Sequence, residues 1–140
     1  MIKFTEIDLV NKYKLRDKIK LAHEYLFYNA TLEAQIDKYY EEYQEFGEAK
    51  ERKDCLEELA DMYICAIGIM RFKWVIGSHL IDNIVKNFGY TEEEILLAVI
   101  NKMNILQHRE WEENNGYYKH KVFDIDAPIR ESKTNSRVHK

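Results

Sequence analysis

Nine consecutive apolar or small residues, from Met62 to Met70, constrain the fold of this chain more than any other feature. The helix that they predict is apolar nearly all round, and such a helix must be buried among neighbouring elements. The apolar run extends towards Leu80 but is interrupted by Arg71 and Lys73, so it does not predict a membrane-spanning helix. Other elements of the chain therefore have to cover this segment.

The composition favours helices as the covering elements. The 140 residues include one proline and five glycines, whereas a β-sandwich or β-barrel needs more turn residues. Hydrophobic residues make up 46% and charged residues 33%, which suits a globular chain with its own core. We therefore expect an all-α fold, an antiparallel bundle of four to five helices with a short C-terminal hairpin, as a single domain over residues 1–126. Residues 127–140 lack apolar periodicity and are expected to form a flexible polar tail.

The segment before the apolar run predicts a helical hairpin. Thr31 is a good N-cap for a helix that runs to about Lys50. Asp54 and Glu57 have the spacing of a capping box, so the next helix should begin near Cys55. Because the connection between the two helices is short, they should lie against each other and run in opposite directions.

The rest of the chain predicts further helices and a turn. The helical pattern continues to Asn87, with a break expected near Gly77. A second capping box opens a helix at Thr91 that should run to about Glu113. An Asn-Asn-Gly turn and the weakly alternating residues 117–123 then predict a short strand or hairpin.

The negative charge is concentrated in one segment. Residues 33–61 carry eleven acidic and four basic side chains, a net charge of −7 in a chain whose net charge is −4. The rest of the chain is only mildly basic, which does not favour a nucleic-acid partner. An acidic segment flanked by mildly basic segments is the charge distribution expected of a protein that binds a divalent metal and, through it, an anionic substrate. A solvated acidic helix face is the alternative.

Four of these acids occupy positions that a helical hairpin can bring together. Glu42 and Glu45 are three residues apart on one predicted helix, and Glu58 and Asp61 are three apart on the next. Positions equidistant from the loop are level in an antiparallel pair, so the two pairs can face each other. Carboxylates that enter a buried interface cost several kcal/mol unless they are paired or bound to a metal. A hard cation such as Mg²⁺ or Mn²⁺ meets that need.

Two small residues continue the stripe that begins with Glu58 and Asp61. Cys65 and Gly68 follow on the same helix face, and their small side chains allow a neighbouring helix to approach closely. Cys55 and Cys65 lie about 15 Å apart along the predicted helix. That separation exceeds the reach of a disulfide, so both are expected to be reduced.

The paired acidic motif resembles a known superfamily. Gln35-Ile-Asp-Lys-Tyr-Tyr-Glu-Glu-Tyr-Gln-Glu45 followed by Glu57-Glu-Leu-Ala-Asp61 is similar to the MazG-like all-α nucleotide pyrophosphohydrolases, which include the dimeric dUTPases and phosphoribosyl-ATP pyrophosphatase. Their motif pairs a Glu-x-x-Glu helix with a Glu-x-x-Asp helix. The resemblance implies the all-α NTP pyrophosphatase type of bundle. It also implies the Mg²⁺ ligands, which are Glu42, Glu45, Glu58 and Asp61.

A later helix in these families carries basic residues that reach the substrate phosphates. Lys102 and Arg109 match two of those positions, whereas Leu106 stands where the family pattern has asparagine. Lys38 is a further candidate for phosphate binding. The alternative for Lys102 and Arg109 is a solvated basic edge.

The end of the chain is similar to that of phage-type members of the superfamily. The matching stretches are residues 109–111 and 116–120, and some such members act on purine deoxynucleotides. Trp111 is therefore a candidate for contact with a substrate base. Packing at a helix end is the alternative for this side chain.

The resemblance implies Mg²⁺-dependent hydrolysis of a (deoxy)nucleoside triphosphate to a monophosphate and pyrophosphate. Glu45 is expected to position or deprotonate the attacking water, and a purine deoxynucleotide is one candidate substrate. Alternatives within the superfamily are dUTP and a phosphoribosyl nucleotide. The alternative from a different class is a non-catalytic helical interaction module, whose acidic hairpin is a salt-bridge network.

The buried helix also bears on assembly. A chain of this size with so long an apolar helix should bury its remaining apolar face in a partner, so we expect a homodimer or homotetramer with sites near the subunit interface. The N-terminus, Met1-Ile-Lys-Phe-Thr-Glu6, has no signal-peptide pattern, so a cytoplasmic protein is expected.

Overall fold

The structure, a computed structural model, describes residues 1–121, in which five α-helices precede a two-stranded antiparallel hairpin. The mostly helical fold with a C-terminal hairpin is confirmed, whereas the predicted tail at residues 127–140 and the end of the predicted domain lie outside the described residues. The elements are a 3₁₀ helix (Glu6–Val10), α1 (Lys12–Leu26), α2 (Leu32–Glu48), α3 (Arg52–Met70), α4 (Trp74–Asn87), α5 (Glu92–Leu106), β1 (Trp111–Asn114) and β2 (Tyr117–His120).

Helix α3 is the centre of the bundle. It contacts α1, α2, α4 and α5, and every residue from Met62 to Ile69 is buried. Full burial of a large aliphatic side chain contributes about 1.5–3 kcal/mol, so this helix supplies much of the hydrophobic stabilisation. The predicted burial of the apolar run is confirmed. Within the described part of the chain, no helix is both long enough and apolar enough to cross a membrane.

The connection between α2 and α3 is only three residues long, Ala49–Glu51, and the two helices run antiparallel as predicted. Helix α3 begins at Arg52 rather than near Cys55, and its N-cap Glu51 makes no side-chain capping bond. The predicted capping box was therefore wrong. The backbone starts the helix without it, because the N–H of Cys55 donates to the carbonyl of Glu51 at 3.0 Å.

Two other capping predictions are confirmed. The hydroxyl of Thr31 accepts a hydrogen bond from the backbone N–H of Ala34 at 3.1 Å, at the start of α2. The hydroxyl of Thr91 accepts from the N–H of Glu94 at 3.2 Å, and the Glu94 carboxylate accepts from the N–H of Thr91 at 3.0 Å. Both motifs satisfy N–H groups that the first helical turn leaves unpaired.

Gly77 lies inside α4 and does not break it. The chain turns instead at residues 71–73, between α3 and α4. A Cβ atom on Gly77 would lie 2.6 Å from the carbonyl oxygen of Ala66 and 2.7 Å from the backbone nitrogen of Met70. The glycine therefore permits close contact between α4 and α3, which the sequence pattern did not distinguish from a break.

The helix predicted to reach Glu113 ends at Leu106, because the following residues form a hairpin. Strand β1 pairs with β2 in a register that sets Asn114 opposite Tyr117. The two turn residues, Asn115 and Gly116, have φ angles of 54° and 87°. Positive φ at both central positions is the geometry that favours Asn-Gly in two-residue hairpins.

Candidate functional site

Helices α2 and α3 meet in one continuous antiparallel register. A residue of α2 that lies farther from the α2–α3 loop faces a residue of α3 that lies correspondingly farther from the same loop. The facing pairs are Gln35 and Gly68, Lys38 and Cys65, Glu42 and Asp61, and Glu45 and Glu58. The close approach at Gly68, where a Cβ would lie 2.3 Å from Oε1 of Gln35, agrees with the predicted stripe of small residues.

Three carboxylates converge at this interface. Oxygens of Glu42, Glu58 and Asp61 all lie within 4.8 Å of one another. Glu42 is 2% exposed, and the other two are half-buried. One Glu58 oxygen, Oε2, is buried and makes no hydrogen bond to any described residue. A set of hard oxygen donors at this spacing fits Mg²⁺ or Mn²⁺.

The fourth predicted ligand, Glu45, lies at the edge of the group. It faces Glu58 from the last turns of α2 and is half-buried. The structure thus brings three of the four predicted ligands together and places the fourth beside one of them, towards the α2–α3 loop.

Two of the three predicted phosphate-binding residues direct their ammonium groups at the carboxylates. Lys38 Nζ lies 3.1 Å from Glu42 Oε1, one helical turn away on α2. Lys102 Nζ lies 3.3 Å from Asp61 Oδ1 and comes from α5, with its side chain only 14% exposed. The two lysines therefore offset part of the negative charge of the cluster.

Arg109 does not join these ion pairs. It follows the end of α5, so helical spacing does not relate it to Lys102. Both side chains nevertheless line the same surface groove, which also contains Arg52 and Lys53. The groove adjoins the carboxylates at Lys102, and its four basic side chains outnumber its two acidic ones, Glu57 and Glu94.

The cluster resists full ionisation. Burial, and then the charges of Glu42 and Glu45, raise the pKa of Glu58 to about 10. Burial and Glu42 raise the pKa of Asp61 to about 7, against the lowering effect of Lys102 and Lys38. Burial alone would lower the pKa of Lys38, but the surrounding acids, first Glu42, raise it. The positive charges of Lys38 and Lys102 do not balance the negative charges that the carboxylates would carry if all were ionised. In the absence of a bound cation, the carboxylates therefore retain protons.

This electrostatic imbalance predicts how the stability of the metal-free protein depends on pH. In the unfolded chain Asp61 titrates near its ordinary pKa of 3.8, and in the folded chain near 7. Between these values the folded state holds a proton that the unfolded state has lost, so the free energy of unfolding falls as pH rises through this range. In EDTA, the melting temperature of Asp61→Asn minus that of the wild type should therefore increase as pH rises from 5 to 8.

The exposed Asp54→Asn variant is the control for that comparison, because Asp54 lies on the first turn of the same helix. Its difference from the wild type should stay constant over the same pH range. A constant difference for Asp61→Asn as well would show that Asp61 does not carry the proton.

An aromatic cavity of about 90 Å³ opens beside the carboxylates. Asp61 and Lys38 line one side, and the hairpin forms another side with Trp111. The Trp111 ring packs edge-on against Phe27 with centroids 5.0 Å apart, and its Nε1–H donates to the carbonyl of Leu106 at 3.2 Å. Trp111 is thus both a packed side chain and a wall of the cavity.

Long-range contacts fix the hairpin over this cavity. The hydroxyl of Tyr118 accepts a hydrogen bond from the backbone N–H of Asn29 at 3.0 Å, and the hydroxyl of Tyr117 donates to Asp37 on α2. Both tyrosines line the cavity. Sequence reasoning identified Trp111 but missed Tyr117 and Tyr118, because no local pattern relates the hairpin to α2 or to the residues that precede α2.

Sequence reasoning also missed a chain of three polar side chains behind the cavity. His23 of α1 lies between Gln35 of α2 and Arg71 at the end of α3, and both its ring nitrogens are engaged. The apolar spacing of α1 indicates that position 23 faces the core, but it does not identify the partners. The three residues come from three separate helices or helix ends.

No protein-family model matches this chain, and neither the curated proteins nor the solved structures yield a match.

Proposed function

We propose that this protein is a divalent-cation-dependent pyrophosphohydrolase that converts a (deoxy)nucleoside triphosphate to the monophosphate and pyrophosphate. The observation that carries the proposal is the convergence of Glu42, Glu58 and Asp61 within 4.8 Å at a half-buried helix interface. Two lysines and an aromatic cavity adjoin them. The resemblance to the MazG-like superfamily, and with it that superfamily's type of helical bundle, belongs to the same proposal.

The carboxylates are the proposed cation ligands. Glu42, Glu58 and Asp61 would hold Mg²⁺ or Mn²⁺, with Glu45 beside them. When bound, the ion neutralises phosphate charge and polarises phosphoryl oxygens. The carboxylates lose their protons in exchange, since a ligand carboxylate has to be ionised.

The basic residues are the proposed phosphate ligands. Lys38 and Lys102 already lie on two sides of the carboxylates and would bind phosphate oxygens as point charges. Arg109 shares a groove with Lys102, and its guanidinium can donate two parallel hydrogen bonds to one phosphate. The triphosphate would therefore run along the Lys102 side of the cluster.

The reaction needs a base for the attacking water. The water oxygen forms a bond to the α- or β-phosphorus, and the bond between that phosphorus and the oxygen bridging the α- and β-phosphates breaks. Pyrophosphate leaves after attack at the α-phosphorus, and the nucleoside monophosphate leaves after attack at the β-phosphorus. The leaving phosphate takes the bonding electron pair. Glu45 is proposed to accept the water proton, because it lies beside the cluster. In either case the products are a monophosphate and pyrophosphate.

One observation favours the alternative of a non-catalytic helical module. The ion pairs between Lys38 and Glu42 and between Lys102 and Asp61 are what a structural salt-bridge network would contain. The two functions differ in their response to cations. A structural network gains nothing from Mg²⁺, whereas a cation site stabilises the folded state by mass action.

Pyrophosphate release from a panel of nucleotides tests the proposed function. The panel should contain the common ribo- and deoxynucleoside triphosphates, dUTP and a phosphoribosyl nucleotide, each with Mg²⁺ or with EDTA. We expect release from at least one nucleotide with Mg²⁺ and none with EDTA, together with a rise in melting temperature on adding Mg²⁺ alone. Release from no nucleotide and an unchanged melting temperature would favour the interaction module.

We also propose that the protein is a homodimer or homotetramer. Four of the five residues from Phe72 to Ile76, around the turn into α4, expose large apolar side chains, and the fifth is Lys73. They are Phe72, Trp74, Val75 and Ile76, which are 42%, 64%, 63% and 49% exposed. A contiguous exposed apolar patch is typical of an interaction surface.

Light scattering after size exclusion tests the oligomer. The double variant Trp74→Glu, Val75→Glu should lower the measured mass to that of the 16.9 kDa monomer. Tyr25→Glu, which changes an exposed aromatic residue of α1, should leave the mass unchanged. A wild-type mass equal to that of the monomer would exclude the proposed assembly.

A further inference from the structure

A chain of hydrogen bonds runs from the half-buried Arg71, through the buried side chains of His23 and Gln35, to the cavity. The guanidinium of Arg71 lies 3.0 Å from Nδ1 of His23 and also donates to the carbonyl of Phe27 at 2.9 Å. Nε2 of His23 lies 3.1 Å from Oε1 of Gln35. His23 is 2% exposed and Gln35 is 8% exposed, so the hydrogen bond between them is buried, whereas Arg71 is half-buried.

The chemistry of these groups allows one direction of donation. A guanidinium has donors only, so Nδ1 of His23 must accept from Arg71. The ring proton therefore lies on Nε2, which donates to Gln35. Burial and the charge of Arg71 lower the pKa of His23 to about 3, so the ring stays neutral at physiological pH. Gln35 must present its carbonyl oxygen to His23, and its amide orientation is fixed.

Because the amide oxygen of Gln35 accepts from His23, the amide nitrogen is the polar atom of this side chain that is left to contact a ligand. It makes no hydrogen bond to any described residue, and Gln35 lines the aromatic cavity. The oxygen lies against Gly68, where a Cβ would come within 2.3 Å of it, so the side chain has no room to withdraw towards α3. A ligand in the cavity would therefore meet two N–H donors from Gln35.

Aromatic side chains form much of the cavity wall, which favours a planar ring as ligand. The rings of Trp111 and Tyr118 both pack edge-on against Phe27, with centroids 5.0 and 4.9 Å from it. A volume of about 90 Å³ is far below the roughly 300–1,000 Å³ of pockets that enclose a whole ligand. The cavity suits one planar ring, while the rest of the ligand lies outside it.

We propose that Gln35 is a specificity-determining residue whose amide N–H groups donate to a carbonyl oxygen on a planar heterocycle in this cavity. His23 and Arg71 are positioning residues that hold the amide in that orientation. The inference rests on the proposed function, in which the heterocycle is the base of the nucleotide. A base with a carbonyl group at this edge is then preferred over one with an amino group there.

Matched substrate pairs test the preference. The pairs dITP with dATP and dUTP with dCTP each exchange a carbonyl for an amino group. For the pair that the wild type hydrolyses, kcat/KM should favour the carbonyl member by roughly tenfold, the factor of about one net hydrogen bond. Gln35→Met should abolish the preference, and Gln44→Met, on the exposed face of α2, should retain it. An equal preference in wild type and Gln35→Met would overturn the inference while the hydrolase remains.

A second variant guards against misfolding of Gln35→Met. Gln35→Glu keeps the size of the side chain and an oxygen for His23, but it replaces the donors with an acceptor. It should prefer the amino member of the pair. A retained carbonyl preference in Gln35→Glu would contradict the assigned role.

The positioning residues have a spectroscopic test. In the wild type, ¹⁵N NMR of His23 should show a protonated Nε2 and an unprotonated Nδ1. Arg71→Met removes the donor that fixes this tautomer, so the proton should redistribute and the carbonyl preference should fall. Lys14→Met, at an exposed position of α1, should change neither. Protonation of Nδ1 rather than Nε2 in the wild type would overturn the positioning roles assigned to His23 and Arg71.

Nucleoside binding separates this inference from the hydrolase. Calorimetry with inosine, adenosine, uridine and cytidine needs no turnover. If no nucleotide is hydrolysed but the carbonyl nucleosides bind better and Gln35→Met loses this difference, the inference holds and the proposed reaction fails. If there is neither hydrolysis nor nucleoside binding, both fail.

Discussion

Replacing Glu58 with glutamine is expected to abolish Mg²⁺-dependent pyrophosphate release while leaving the protein folded. Glutamine preserves the shape of the side chain but removes the charge of one of three converging ligands. Altering residues that merely orient metal ligands reduces activity by about 10- to 100-fold, so loss of a ligand should cost more than that. The measurement is kcat/KM for the best nucleotide of the panel.

The same variant should raise the melting temperature of the metal-free protein. Glu58 lies among like charges, and one of its buried oxygens lacks a hydrogen-bond partner in the described part of the chain. Glu48→Gln, an exposed position at the end of α2, is the control and should leave both activity and stability near wild type. Retention of full activity by Glu58→Gln would show that Glu58 is not a cation ligand required for the reaction.

Gly77→Ala is expected to destabilise the protein by about 1–3 kcal/mol, as overpacking of a tight interface does. The added methyl group would meet the backbone of α3 at Ala66 and Met70, which cannot yield as a flexible side chain would. This effect opposes helix propensity, by which alanine is about 1 kcal/mol better than glycine. The free energy of unfolding in urea measures it.

Gly47→Ala is the matched control for that substitution. Gly47 is also helical, near the end of α2, and no described atom beyond its chain neighbours and its own helical backbone lies within 4 Å of the position that its Cβ would take. We expect it to be neutral or to stabilise the protein by up to about 1 kcal/mol. Equal effects of the two substitutions would show that α4 does not need the glycine to approach α3.

The convergence of the carboxylates followed from local features of the sequence. The apolar run after Asp61 requires a buried helix, and a short loop requires the preceding helix to return along it. Together these fix an antiparallel register, and the register alone brings Glu42 level with Asp61. Side-chain spacing on two adjacent helices was therefore enough to identify the cluster.

Other features depend on partners that are distant along the chain. Strand β1 has the sequence Trp-Glu-Glu-Asn, which has no strand-like alternation, and it exists because β2 pairs with it. His23 and Arg71 are 48 positions apart, and neither carries a local signal for their contact. The sequence alone predicts a helix break near Gly77, because it does not show that the backbone of α3 lies close to this glycine. Tertiary contacts decide each of these features.

Mn²⁺ binding measured by electron paramagnetic resonance tests most directly whether the two helices share a cation site. Mn²⁺ can take the place proposed for Mg²⁺, and the free ion is quantified without any nucleotide. We expect saturable binding of at least one Mn²⁺ per chain, which Glu58→Gln and Asp61→Asn each abolish and Glu48→Gln retains. Absence of binding to the wild type, or equal binding to wild type, Glu58→Gln and Asp61→Asn, would contradict a cation site formed by α2 and α3.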